Sequence, residues 1–272
     1  NIARVPIRIS HSHTNRPIAK VSTKILRTVS RALLLLVSTD LWACSEAAYS
    51  WLYGRDRRKD DKHSYILFNS FDCHRFFFNY EKRQEMRAIL GIDDTVFTCI
   101  CVATLSEGKN QRFLLDVFAQ LERLHLGRNL LLLVGDGSIR AQLEKYADDL
   151  GIHECVRFMG DRSDVPDLLD ASDCFLLPSH FEGLSVSMVE AQINGLPCIV
   201  SDTVSPEVAI SEQIWFEPIS QGPQAWVKKL QEIRTPNGKY ERKSLDSRSV
   251  AKFDIEITAK EVASKYWEMY NR

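Results

Sequence analysis

The chain has 272 residues, with 35 Lys and Arg against 36 Asp and Glu and a formal net charge of −1. That balance leaves no global positive field, so nucleic acid is not an expected partner. The length suits one large or two modest domains, and the longest apolar run, residues 32–37, is far too short to cross a bilayer. Seven cysteines (Cys44, Cys73, Cys99, Cys101, Cys155, Cys174 and Cys198) form no CxxC pair, and most sit in apolar runs. They read as reduced core thiols of a cytoplasmic protein, not as a disulfide frame or a zinc site.

In chain order, residues 5–10 read as a short strand running into His11-Ser12-His13. A helix is expected over residues 19–37. At 100° per residue, Lys20, Lys24, Arg27 and Arg31 fall on one narrow stripe, with Val21, Ile25, Val29, Ala32, Leu33 and Leu36 opposite. The stripe predicts either a solvated basic face or one held against anionic lipid headgroups. Residues 40–44 read as a strand, and Ser45 as the N-cap of a helix that ends at Gly54. The charge run at residues 55–62 has no apolar face and reads as a linker or exposed loop.

A strand at residues 65–68 and a polar helix at 81–90 follow. Strands at 96–103, 130–134, 155–159 and 174–177 then alternate with helices at 111–124, 138–150 and 165–169. The rhythm predicts a parallel sheet covered on both faces, with ligands at the carboxyl ends of its strands. Beyond Pro206 the pattern weakens to a helix at 223–233, a polar stretch at 235–249 and a last helix at 257–270. Tyr266, Trp267 and Tyr270 on that last helix predict docking on another part of the molecule.

Chemistry is densest in residues 172–206, SDCFLLPSHFEGLSVSMVEAQINGLPCIVSDTVSP. Glu182 stands in a loop and Glu190 in the helix behind it, with Gly183-Leu184-Ser185 between them as a turn into that helix. A helix N-terminus approached through glycine favours an anion, because unpaired N–H groups and the helix dipole both point there. Glu190 lies roughly two turns further along, so a phosphate at the turn would leave a ribose within its reach. The stretch therefore suggests a sugar-nucleotide site.

Phe181-Glu182-Gly183-Leu184…Glu190-Ala191, following LLPS and followed by GLPCIVSD, with LLLVGDG and VRFMG upstream, resembles the retaining glycosyltransferases of family 4 (glycosyl transferases group 1). The segments HSH and TDLWACSEAAYSWLYG resemble the second half of the N-terminal domain of bacterial exopolysaccharide and capsule transferases. The resemblance spans nearly the whole chain and implies an α/β fold of the two-domain GT-B type. On it, residues 1–64 would be the remnant of an acceptor-side domain, 65–250 a Rossmann-like nucleotide-sugar domain, and 251–272 a helix packing back on the N-terminal part. The chain starts without Met, almost directly on a strand, and is expected to be cut from a longer protein.

The resemblance also implies roles. Glu182 would act at the donor sugar near the reacting carbon, and His13 would face that sugar across the cleft, with His11 a less certain neighbour. Glu190 would bind the ribose and Lys109 the diphosphate. The backbone of Gly183, Leu184 and Ser185 would lie near sugar and diphosphate, and the turn Val156–Gly160, with Met159, would hold the base. Thr104 stands where the family usually carries a second phosphate-binding arginine, and Phe68-Asn69-Ser70 stands where a proline-asparagine-glycine turn is usual. Gly135-Asp136-Gly137 is either a strand-to-helix turn capped by Ser138 or a direct phosphate contact.

The implied activity is transfer of a hexosyl group, with retention, from a UDP- or GDP-sugar to a lipid-linked or oligosaccharide acceptor in cell-surface polysaccharide biosynthesis. No metal cofactor is expected, and the implied place is the cytoplasm, at the inner face of the cell membrane. The rival readings are an inactive nucleotide-sugar-binding module and a sugar-nucleotide epimerase of the same fold.

Overall fold

The computed structural model describes residues 5–13, 21–54, 63–125, 127–182, 184–234, 242, 245 and 247–271, with only the backbone of 21–25. Two parallel sheets organise them. The smaller has the order β1-β2-β3, from β1 (Ile9–Ser12), β2 (Asp40–Ala43) and β3 (Ser64–Ile66). The larger contains β4 (Phe97–Val102), β5 (Asn129–Val134), β6 (Val156–Gly160), β7 (Cys174–Leu177), β8 (Cys198–Ser201) and β9 (Ile214–Glu217). Its order is β6-β5-β4-β7-β8-β9, every neighbouring pair parallel. The chain winds outward from β4 to one edge, returns, and winds outward from β7 to the other. The reversal between β4 and β7 is the topological switch point, where an open parallel sheet leaves a crevice beyond the carboxyl ends of its strands.

The strands of the large sheet are nearly continuous apolar runs because both faces are covered. One face carries α4 (Gln111–Arg123), α5 (Arg140–Asp149) and α8 (Pro223–Ile233), whose Leu114, Phe118, Leu143 and Trp226 pack on Cys99, Leu131, Leu133 and Leu176. The opposite face carries α3 (Tyr80–Ile89), α6 (Val165–Ala171) and α7 (Val186–Ile193), with Met86, Leu168, Leu169, Met188 and Val189 on Ile100, Leu132, Phe175 and Val200. Successive strand residues go to opposite cores, as a period of two requires.

Two strands differ from expectation. The first strand is shifted to Ile9–Ser12, because its register is set by pairing with Asp40–Ala43 and by Arg8, whose N–H donates to Thr39 Oγ1 at 2.8 Å. Strand β9 is absent from the expected elements: it is a four-residue edge strand, IWFE, half-buried throughout, and its apolar run is only three residues long.

Helix α1 (Val21–Val37) turns Arg27 and Arg31 of its basic stripe inward, against the lipid-facing reading at these two positions. Arg27 lies over the Trp51 ring, 5.1 Å from its centroid, and Arg31 Nη2 donates to the Tyr53 carbonyl at 2.5 Å. Both reach inward to α2 (Glu46–Tyr53), which Ser45 caps by accepting from Ala48 N at 3.0 Å. The carboxyl end of α2 presents unpaired carbonyls that attract a cation, and Gly54 has no Cβ, which would stand 2.4 Å from Arg31 Nη2. The apolar stripe is therefore the one turned outward, with Leu33 57% and Leu36 79% exposed. Lys20, the side chain of Lys24 and the charge run 55–62 lie outside the described residues.

The remaining elements tie the two sheets together. Helix α9 (Ser247–Val250) leads to α10 (Ile255–Tyr270), where Tyr266 stacks on Trp42 at 5.6 Å and Glu261 accepts from Tyr65 Oη at 3.2 Å. Glu207, beyond β8, accepts from the Glu46 N–H at the start of α2 at 2.8 Å. Leu184 packs against both the small core of β2 and α2 and the α7 side of the large sheet. Among the described residues, no helix is long and apolar enough to cross a membrane.

Arg242 fastens the approach to α9. Its guanidinium donates to the Leu169 carbonyl at 3.1 Å and the Asp170 carbonyl at 2.9 Å, and also to Ser172 O and Asn194 Oδ1. It thereby supplies a cation to the carboxyl end of α6, and burial, followed by Arg83, pulls its pKa down to about 9. Arg83 Nη1 also donates to the Asp170 and Ser172 carbonyls, and the Ser172 N–H to the Leu169 carbonyl. Arg242→Ala thus removes one of two donors from each carbonyl and should lower stability by about 1–3 kcal/mol. Urea unfolding measures this; a loss below about 0.5 kcal/mol, the scale of an exposed pair, contradicts the assignment.

Candidate functional site

The loops that follow β4 and β7 face each other across the switch point and are bonded into one unit. The β4 loop makes a tight helical turn at Glu107–Lys109 and reverses at Asn110, whose φ is 55°. Asn110 Nδ2 donates to the Pro178 carbonyl at 3.2 Å, and the His180 N–H donates to the Gly108 carbonyl at 2.9 Å. Gly108 is needed for this approach, since a Cβ there would meet the Phe181 ring at 2.9 Å.

This joining brings Lys109 and Glu182 together, with Nζ 2.6 Å from Oε1. Glu182 is only 7% exposed, and its Oε1 accepts a second bond from Ser179 Oγ at 2.6 Å. Ser179 is itself fully buried, its carbonyl accepting from Ser201 Oγ and, at 2.7 Å, from Thr203 Oγ1 beyond β8. A carboxylate so enclosed needs these donors, because burying an unpaired charge is costly.

Behind Glu182 the chain enters α7. Ser185 is the N-cap residue, but its hydroxyl does not cap the helix; it lies 3.4 Å from Ser187 Oγ. Among the described residues the first-turn N–H groups have no side-chain acceptor, the arrangement that receives an anion at a helix start. Glu190 stands five residues past the cap, about 7 Å along the axis. Burial pushes its carboxyl up to about 7, and the nearby Arg75 opposes the rise. Leu184 joins the two lobes as described above, and Gly183 lies outside the described residues.

The next strand ends give less. Thr104 is exposed, and its carbonyl accepts from Gln111 Nε2 at 2.9 Å. Met159 is half-buried on β6 against the core beneath α6 and α7. In Gly135-Asp136-Gly137, the Asp136 N–H donates to Asp161 Oδ1 at 3.1 Å and the Gly137 N–H to Asp136 Oδ1 at 2.7 Å. A Cβ on Gly137 would lie 2.1 Å from the Leu105 carbonyl oxygen. These bonds favour the structural turn over a direct phosphate contact. Ser138 is not its cap, since α5 starts at Arg140 behind Ile139.

His13 is exposed just beyond β1, its ring 4.1 Å from that of His11. Burial, then His13, pulls His11 down to about 4, so its imidazole is neutral at pH 7, and its buried Nε2 has no partner among the described residues. No hydrogen bond joins His13 to Glu182 or Lys109 among the described residues.

The structure thus puts Lys109 and Glu182 in contact and places Ser185 and Glu190 on the helix behind them; His13 belongs to the other sheet. Sequence reasoning missed Ser179, Ser201, Thr203 and Arg75. The first three were visible as hydroxyl residues at the ends of two apolar strands. Arg75 lies in a turn far upstream of Glu190 and carried no signal.

The glycosyl transferases group 1 family model matches residues 82–244. The putative glycosyltransferase EpsF of Bacillus subtilis is 32% identical over 86% of this chain, which spans 64% of the length of EpsF. The UDP-Gal:alpha-D-GlcNAc-diphosphoundecaprenol alpha-1,3-galactosyltransferase of Escherichia coli is 33% identical over 50% of this chain and 36% of its own length. Among solved structures, Anabaena Alr3699/HepE in complex with UDP and glucose superposes with a TM-score of 0.79 at 22% identity, covering 97% of this chain and 72% of its own. That likeness gives the fold, a GT-B arrangement over nearly the whole chain. A family model covering more than half of the residues, including both loops of the crevice, establishes the ancestry: this chain belongs to the glycosyl transferases group 1 family.

Proposed function

We propose that the crevice beyond β4 and β7 binds a nucleoside diphosphate sugar, and that the whole protein transfers its hexosyl group, with retention, to a lipid-linked or oligosaccharide acceptor in polysaccharide biosynthesis. The observation that carries the reading is the Lys109–Glu182 contact at the mouth of a helix whose first N–H groups have no side-chain cap. Lys109 and those N–H groups stabilise the diphosphate and the charge that grows on it as the glycosidic bond breaks. Glu182 accepts from hydroxyls of the sugar, and Glu190 from those of the ribose. A UDP-sugar is the favoured donor, because the Anabaena relative is described with UDP-glucose and the Escherichia coli relative acts on UDP-Gal and a diphosphoundecaprenol acceptor. With the diphosphate compensated by Lys109 and amides, the proposed reaction is metal-independent.

One observation favours a second reading, binding without transfer: Thr104 presents an uncharged, exposed side chain where the family usually has a second cation. Loss of one such contact costs about 2–4 kcal/mol of transition-state stabilisation. The two readings separate on whether a donor that binds is also consumed.

Lys109→Ala should weaken both UDP and UDP-glucose at least about tenfold in calorimetric titration, the scale of one charge-assisted bond. Unchanged affinities contradict the diphosphate assignment.

Glu190 gives a pH dependence. Its folded pKa, about 7, lies above the ordinary 4.5, so its contribution to stability is fully present below about pH 4.5 and is lost as pH rises through 7. Glu190→Gln should remove up to about 3 kcal/mol of that decline, seen as a flatter melting profile from about pH 5 to pH 8. Because ribose hydroxyls favour the ionised carboxylate, UDP affinity should rise by up to about tenfold between about pH 6 and pH 8. A flat binding profile contradicts the ribose role.

A further inference from the structure

Lys109 and Glu182 suit different parts of a sugar nucleotide, yet they are bonded to each other. Lys109 Nζ and Ser179 Oγ both converge on Glu182 Oε1, each at 2.6 Å. The two donors differ in freedom. Ser179 is fully buried and its carbonyl is held by Ser201 and Thr203, so its hydroxyl is fixed. Lys109 is an unbranched side chain with 28% of its surface in solvent, so its ammonium can swing away.

We propose that the Lys109–Glu182 ion pair is an exchange element that makes the site prefer the sugar-loaded nucleotide over the bare nucleoside diphosphate, with Ser179 as the positioning residue that holds Glu182 through the exchange. The proposal rests on the donor-site reading above. A diphosphate that takes Lys109 leaves a nearly buried carboxylate with, among the described residues, only the Ser179 hydroxyl. A sugar nucleotide supplies both halves of the exchange: its diphosphate replaces Glu182 on Lys109, and its sugar hydroxyls replace Lys109 on Glu182. A nucleoside diphosphate supplies the anion alone, and Glu182 is left short of a donor in a site where water enters poorly. The spent nucleotide is therefore held less firmly than the donor, which favours its release after transfer. The same pair accounts for the choice of glutamate over glutamine: a neutral side chain would leave Lys109 free for any diphosphate.

The test is calorimetric titration of the whole chain with UDP and with UDP-glucose, in the wild type, Glu182→Gln, Ser179→Ala and the double variant. The exchange predicts that Glu182→Gln tightens UDP by about tenfold, because Lys109 no longer has to leave a carboxylate. Ser179→Ala should weaken UDP by about the same factor, because Glu182 then loses its last donor when Lys109 departs. In the Glu182→Gln background Ser179→Ala should change UDP affinity less than about twofold. Opposite signs from two neighbouring substitutions are not what structural damage produces. If both single variants weaken UDP, the exchange is wrong while the donor site stands. If wild-type protein binds neither UDP nor UDP-glucose, the donor reading fails and takes this proposal with it. Should Glu182→Gln fail to fold in thermal unfolding, Ser179→Ala still decides, since an unchanged UDP affinity there overturns the fixed-donor role.

Discussion

Strands β4 and β7 lie side by side although β5 and β6 come between them in the chain, and the candidate site depends on that adjacency. Every pair in the large sheet is parallel, so all its strands end on one edge, and only at the reversal do two loops leave a gap between them. The two loops are held against each other there: the His180 N–H on the Gly108 carbonyl, the Asn110 side chain on the Pro178 carbonyl, and Gly108 under the Phe181 ring. A lysine from one loop and a glutamate from the other are thereby pressed into contact in a place where neither keeps full hydration. The helix that leaves the second loop starts without a side-chain cap and directs its dipole into the same gap.

The electrostatics follow from this enclosure. Glu182 survives as a buried carboxylate because Lys109 and Ser179 share its Oε1. Glu190, further along α7, has no such donors among the described residues, and burial raises its pKa against the opposing charge of Arg75. Two glutamates on one short stretch thus have different surroundings, one tied into bonds and the other pushed by burial toward a pKa of about 7. That division fits a site in which one carboxylate trades partners and the other waits for hydroxyl donors.

Much of this was legible in the chain. The apolar runs of β4, β5, β7 and β8 stand out because burial on both faces removes polar residues from them, and Ser45 and Gly54 marked the ends of α2 through their capping chemistry. Edge strand β9 did not stand out, since its apolar run, Ile214-Trp215-Phe216, is only three residues long and half-buried. The orientation of α1 was misread for a physical reason: periodicity separates two faces but does not say which is turned in, and here the carboxyl end of α2 and the Trp51 ring attract the arginines. At the site, motif order pointed to Glu182, Glu190 and Lys109 one at a time. That Lys109 and Glu182 bond to each other, and that Ser179 stands behind them, depends on the contact between two loops and is invisible along a single chain.

The most direct measurement is a crystal structure of this chain with UDP-glucose bound. The account predicts the diphosphate on Lys109 Nζ and the first N–H groups of α7, the ribose hydroxyls on Glu190, and Glu182 on the sugar with its bond to Lys109 broken. A nucleotide bound away from the β4 and β7 loops, or one that leaves the Lys109–Glu182 bond intact, would contradict it.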